Sequence, residues 1–191
     1  MADVRAAAPQ RMPVWDRCVR ALHWLLVISM LAALASAHWP PERHFELLHY
    51  GAGYLTGAIV LVRIAWGFVG TRHARFSQFV RAPRSTWHYA GMWSMGRAPR
   101  YVGHNPLGAW MVLALLATAL ALSLSGCLYT TDWLWGYAWL LDLHAGLAWL
   151  AVGLVILHVA GVAMASLHHR ENLVAAMVHG SKRPPGDADV H

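Results

Sequence analysis

The sequence predicts an all-α integral membrane protein, a four-helix bundle with both termini cytoplasmic, and three observations predict it. Of its 191 residues 58% are hydrophobic and only 13% charged, against about 25% charged in an ordinary soluble domain. The apolar residues gather in four runs, each near or above the ~20 residues that cross a hydrocarbon core as a helix. Lys and Arg then segregate between the connections, thirteen on one side against Arg43 alone on the other. Such a bias places the basic side in the cytoplasm.

The elements follow in order, with helices expected over about 16–39, 45–70, 107–128 and 139–168 in a single domain of residues 1–183, and a polar tail over 184–191. Lipid requires each spanning backbone to satisfy its own hydrogen bonds, and runs this long are helices, not barrel strands. The first run follows Arg20 and ends near Ala35-Ser36-Ala37, which imitates a cleaved signal peptide. It exceeds the usual 7–15-residue apolar region of such a signal, so an uncleaved helix is expected. The second run carries Arg63. The third holds no ionisable side chain except Cys127, and the fourth carries His144 and His158 with Asp142 near its outer start. Basic residues cluster before helix 1 (Arg5, Arg11, Arg17, Arg20), between helices 2 and 3 (Arg72 to Arg100) and after helix 4 (Arg170, Lys182, Arg183). The net charge of +6 thus reads as a topology signal and a contact with anionic lipid, not as a nucleic-acid surface. Trp39, Trp133, Trp135 and Trp139 mark the outer boundary and Trp15 and Trp66 the inner one. Cys18 and Cys127 stand far apart without a C-x-x-C-H motif, which excludes covalent haem attachment and a disulfide framework.

Ionisable groups within a membrane are functional candidates, and here they are His23, His49, Arg63, His144 and His158. His144 and His158 lie fourteen residues apart, on nearly one face of helix 4 and roughly 21 Å apart along its axis. Ala148, Ala151 and Val155 lie between them, small enough for a flat group to pack there. Helix 1 runs outward and helix 2 inward, so depth pairs His23 with His158 in the inner half and His49 with His144 in the outer half. Arg63 lies fourteen residues beyond His49, at the level of the inner pair. Gly53 and Gly57 leave a bare stripe below His49, open to a ring or to another helix. Two imidazoles on facing helices suit the axial positions of a haem iron, which favours electron transfer over oxygen chemistry. Arg63 has two readings at this point, neutralising an inner haem propionate or snorkelling to the surface. His38 and His44 are rival ligands for the outer site. His104 and Asn105 are polar candidates for a quinone site, though helix capping explains them equally well.

These segments also resemble a known family. WDRCVRALHW, LHYGAGYLTGAIVLVRIAWGFVG, HARFSQFV, GHNPLGAWM, HAGLAWLAVGLVILHVAGV and SLHHRENLVAAMVHGSKR are similar to bacterial cytochrome b561 and the nickel-hydrogenase cytochrome b subunits, from Trp15 to about Arg183. The resemblance implies two haem b groups with axial ligands at His23, His49, His144 and His158, in a protein of the bacterial inner membrane. It implies electron exchange with the quinone pool and with a partner such as a periplasmic c-type cytochrome, a hydrogenase or another dehydrogenase subunit. The short outer loops depart from the hydrogenase subunits. Two further readings stand beside the electron carrier. One is a quinone-linked oxidoreductase acting directly on a small substrate such as superoxide, which needs a haem edge open to solvent. The other is a metal or proton transporter, which usually shows broken helices or internal repeats.

Overall fold

The computed structural model describes residues 11–39 and 42–190. Four helices are long and apolar enough to cross a membrane: α1 (Arg17–Ala37), α2 (Arg43–Val69), α5 (Pro106–Tyr129) and α6 (Ala138–His168). The protein is a multi-pass helical bundle. Three shorter helices lie at the end that carries both termini: α3 (Phe76–Phe79), α4 (Pro83–Ser94) and α7 (Leu173–His179). Two two-residue strands, β1 (Met12–Pro13) and β2 (Ser181–Lys182), pair antiparallel there.

Local chemistry sets the helix starts. The Asp16 carboxylate accepts from the Val19 N–H at 2.7 Å and caps α1, satisfying one of the unpaired donors of its first turn. Asn105 caps α5 in the same way through the Gly108 N–H at 2.7 Å, with Pro106 in the first turn, where its missing N–H costs nothing. The α7 helix runs from an Asn172 cap to Gly180, which ends it at φ 83°, a conformation that favours glycine.

The long helices pack in sequence, α1 on α2, α2 on α5 and α5 on α6; among the described residues α1 and α6 form no such seam. Small and hydroxyl residues line the seams. Thr56 donates to Ser29 at 2.8 Å between α2 and α1, and Ser123 of α5 donates to the Gly53 carbonyl at 3.3 Å. A Cβ at Gly57 would sit 3.0 Å from the Ser123 Cβ, so this glycine serves the close approach of α2 and α5. Gly53 meets open space within 4 Å. Membrane hydrogen bonds of this kind average about 0.6 kcal/mol, so they fix register while Val60, Leu116, Ala119 and their neighbours supply the packed centre.

The arginine-rich connection folds into α3 and α4 instead of an open loop. Tyr89 is buried under α4 while Trp87 on its other side is 78% exposed, the pattern of a helix lying in a membrane interface. The chain beyond 183, expected as a tail, returns to the body. The Val190 N–H donates to the Arg100 carbonyl at 2.8 Å, and the Val102 N–H donates to the Val190 carbonyl at 3.1 Å. Beneath this return, Val14, Trp15, Val102 and Ala176 form a second small core.

Candidate functional site

The bundle brings His49 of α2 and His144 of α6 together near the end opposite the termini. Their ring centroids are 6.1 Å apart and their planes cross at 76°. Each ring is oriented through Nδ1. His49 Nδ1 stands 2.8 Å from the Ala33 carbonyl, which can only accept, so this nitrogen carries the proton. His144 Nδ1 stands 2.9 Å from Ser125 Oγ, whose own hydroxyl donates to the Leu122 carbonyl. That leaves His144 Nδ1 as the donor. Both rings therefore present an unprotonated Nε2, the form in which imidazole binds a metal. Orientation of a ligating imidazole through its other nitrogen is the usual support of such sites.

Gly126 of α5 makes room for this arrangement, since a Cβ there would lie 3.2 Å from His144 Cε1. The rival residues point elsewhere. The exposed His38 sits beyond the end of α1, with Nδ1 2.9 Å from the Leu34 carbonyl of its own helix and its ring against Trp149. His44 lies 3.3 Å from Glu42 and packs on Phe45.

Toward the termini, His23 of α1 and His158 of α6 lie within electrostatic range of each other, across the side of the bundle where α1 and α6 form no packed seam among the described residues. Trp24 stands edge-on to the His23 ring at 5.1 Å. His23 Nδ1 is buried without a partner. Ala151, on α6 between the two histidine levels, is buried.

Arg63 does not reach the surface. It is 8% exposed, its guanidinium lies 5.6 Å from the Phe76 ring centre, and Nη2 makes one long bond of 3.4 Å to the Ala74 carbonyl. Its Nη1 is buried with no partner, so the snorkelling alternative is not what the fold adopts. Burial and a free donor in one guanidinium call for an anion.

Of the two polar candidates at the start of α5, Asn105 is spent on the helix cap. His104 is held between Trp15 and Phe79, with centroids at 4.7 and 4.6 Å, and its Nδ1 is buried without a partner. Burial, then the nearby charges of Lys182 and Arg63, push its imidazole down to about 3. The cavity beside it, lined by His73, Phe79, Tyr101 and Gly103 among others, measures about 30 Å³. That is room for a water molecule, not for a quinone ring.

Sequence reasoning missed Ser125, Gly126 and Lys182. Ser and Gly are ordinary in membrane helices, and no spacing links Ser125 to a histidine nineteen residues away. Lys182 counted only as one more cation of the basic side. In the fold it is 6% exposed, 5.3 Å from the Trp15 ring centre, and burial pushes its ammonium down to about 8 against the pull of Glu171.

The family model of prokaryotic cytochrome b561 matches residues 14–180. Among curated relatives, the probable Ni/Fe-hydrogenase B-type cytochrome subunit of Azotobacter chroococcum mcd 1 is 25% identical, over 87% of this chain and 86% of that protein. Those of Rhizobium leguminosarum bv. viciae and Azotobacter vinelandii are each 24% identical, the first over 93% and 91% of the two chains, the second over 87% and 86%. No solved structure matches. A model match across nearly the whole chain, on a bundle of four apolar helices, shows that the chain belongs to the prokaryotic cytochrome b561 family, membrane b-type cytochromes that transfer electrons.

Proposed function

We propose that this chain carries electrons across the bacterial inner membrane on two b-type haems, with both termini cytoplasmic. His23 and His158 would ligate the inner haem, His49 and His144 the outer one. The observation that carries this reading is the outer pair, two imidazoles 6.1 Å apart with both Nδ1 atoms engaged. With metal–nitrogen bonds of about 2 Å on each side, one metal atom fits between them. Among the described residues no three His, Cys, Asp or Glu side chains converge, so the chain builds no four-ligand metal cage of its own. A porphyrin needs only the two axial ligands.

Bound haem supplies reversible one-electron iron chemistry. The protein's part is ligation, spacing and charge. Ala33 and Ser125 hold the outer ligands in one tautomer, and the fourteen-residue step along α6 sets the two sites roughly 21 Å apart. Arg63 favours the reduced inner haem by its charge and offers Nη1 to a propionate.

For the partners, the names of the relatives favour a hydrogenase as the electron donor on the outer face, with the quinone pool as acceptor. A periplasmic c-type cytochrome is the second reading. It is supported by the exposed carboxylates Glu42, Glu46, Asp132 and Asp142, which suit a basic partner.

The test is the haem-to-protein ratio of the purified chain with its reduced-minus-oxidised spectrum. Two low-spin b-type haems per chain are expected. One haem would overturn the two-site assignment, and none in folded protein would overturn the cytochrome reading of these histidines. Replacing Gly126 by Val is a local check. The added methyls displace the His144 ring from Ser125, so the low-spin resonance signal of the outer haem should shift while the inner one stays as in wild type. An unchanged outer signal would remove Gly126 from the site.

A further inference from the structure

Two cations are buried at the termini-bearing end without a carboxylate to pair with. Arg63 is 8% and Lys182 6% exposed, and among the described residues neither forms an ion pair. Lys182 Nζ makes a single long bond of 3.4 Å to the Gly103 carbonyl. The nearby carboxylates are committed. Glu171 acts on Lys182 electrostatically, but its Oε1 accepts from Arg100 Nη2 and the Arg183 N–H, both at 2.8 Å, and its Oε2 accepts from Arg100 Nε at 3.1 Å. Asp16 acts on Arg63, but it accepts from the Val19 N–H, Trp66 Nε1 and Thr71 Oγ1. Buried charges in proteins are paired or bound to a ligand. Neither buried cation has a carboxylate oxygen within ion-pair distance among the described residues.

The two cations share one neighbourhood. Both act electrostatically on His104, and so does His158. Arg63 is within range of Cys18, five residues before His23, and Lys182 packs on Trp15. Arg63 is also within range of Asp16, the cap of α1, and Lys182 bonds the Gly103 carbonyl just before α5. Haem b carries two propionates on one edge. A phospholipid phosphate is the competing anion, but it brings a single charge, and exposed arginines such as Arg17 and Arg72 at this end meet headgroups without burying a lysine.

We propose that Lys182 and Arg63 each hold one propionate of the haem ligated by His23 and His158, which makes the C-terminal strand part of that haem's site. The proposal rests on the two-haem reading above. It also gives the fold-back of the chain a purpose, because the pairing of β1 with β2 is what carries Lys182 under Trp15.

The test uses the full-length haem-loaded chain and its Lys182→Gln, Lys182→Arg and Arg63→Gln variants. Redox titration of each haem is one readout, and the rate of haem transfer to apomyoglobin is the other. Removing a positive charge disfavours the reduced form, so Lys182→Gln and Arg63→Gln should each lower the midpoint of the inner haem alone. Loss of one charge-assisted hydrogen bond should speed transfer of that haem about tenfold. Lys182→Arg should restore both readouts, and the outer haem serves as the internal control.

Unchanged midpoints and transfer rates in folded Lys182→Gln would overturn the proposal, as would equal shifts in both haems, which mark a general structural role. Should Lys182→Gln not assemble, infrared difference spectra of wild type and Lys182→Arg, loaded with haem labelled with carbon-13 at the propionate carboxyls, decide. The labelled band shifts between the two if Lys182 bonds a propionate, and an unmoved band overturns the assignment. A wild-type chain that binds no haem would instead overturn the two-haem reading itself.

Discussion

On the proposed two-haem reading, replacing His158 by alanine is expected to leave one low-spin haem per chain instead of two, the haem lost being the inner one. The imidazole makes no hydrogen bond to the protein among the described residues, so its removal breaks no interhelical contact and α6 should remain packed on α5. The outer pair lies roughly four helical turns away along α6, and its anchors are Ala33 on α1 and Ser125 on α5. The haem-to-protein ratio and the low-spin resonance spectrum check the result: one signal should vanish and the other keep its position. Retention of both haems would break the pairing by depth. His144→Ala should give the converse loss and also remove the donor to Ser125 Oγ, so its remaining inner haem reports whether the two sites assemble independently.

The spanning helices were legible in the sequence because membrane hydropathy is a one-dimensional signal: about twenty apolar residues must follow one another. The histidine levels were legible for a similar reason, since the rise per residue converts position along a spanning helix into depth. What stayed hidden depends on approach between distant segments. Gly53 and Gly57 belong to one stripe by spacing, yet Gly57 is filled by Ser123 of α5 while Gly53 faces open space. The burial of Arg63 needed the position of Phe76 and Ala74, which the short helix α3 and the turn before it deliver. Lys182 looked like a solvated cation because its immediate neighbours, His179, Gly180, Ser181 and Arg183, are polar or small. Its cover, Trp15, comes from the far end of the chain.

Arg100 shows the same limit at larger energy, and its replacement by methionine is expected to open the termini-bearing end while leaving the four long helices intact. The side chain is 5% exposed. It grips Glu171 through two bonds of 2.8 and 3.1 Å, reaches Asp189 through Nη1, and donates to the Arg183 carbonyl at 2.9 Å. These partners are 71 and 89 residues away for the two carboxylates, beyond any local pattern. Removing one member of a buried ion pair leaves the others uncompensated and costs about 3–5 kcal/mol. The loss should fall on the segment from β2 to Val190. Hydrogen exchange at the Val102 and Val190 amides, which join the 100–102 segment to the chain end at Val190, should accelerate in Arg100→Met, and trypsin should cleave after Lys182, which wild type protects by burial. The pH dependence has a definite sign. Burial alone would raise the Glu171 and Asp189 carboxyls. Hydrogen bonds from Arg100 and from backbone N–H groups outweigh it and hold both below their ordinary values. Their contribution is therefore complete above the ordinary carboxylate range of about pH 4 and is lost as the pH falls through the lowered folded values. Wild type should show exchange at Val102 and Val190 that rises in excess of the intrinsic rate on acidification below about pH 4. Arg100→Met, already open, should lack that acid limb, and equal protection in the two proteins would show that the closure is held by its apolar contacts and not by Arg100.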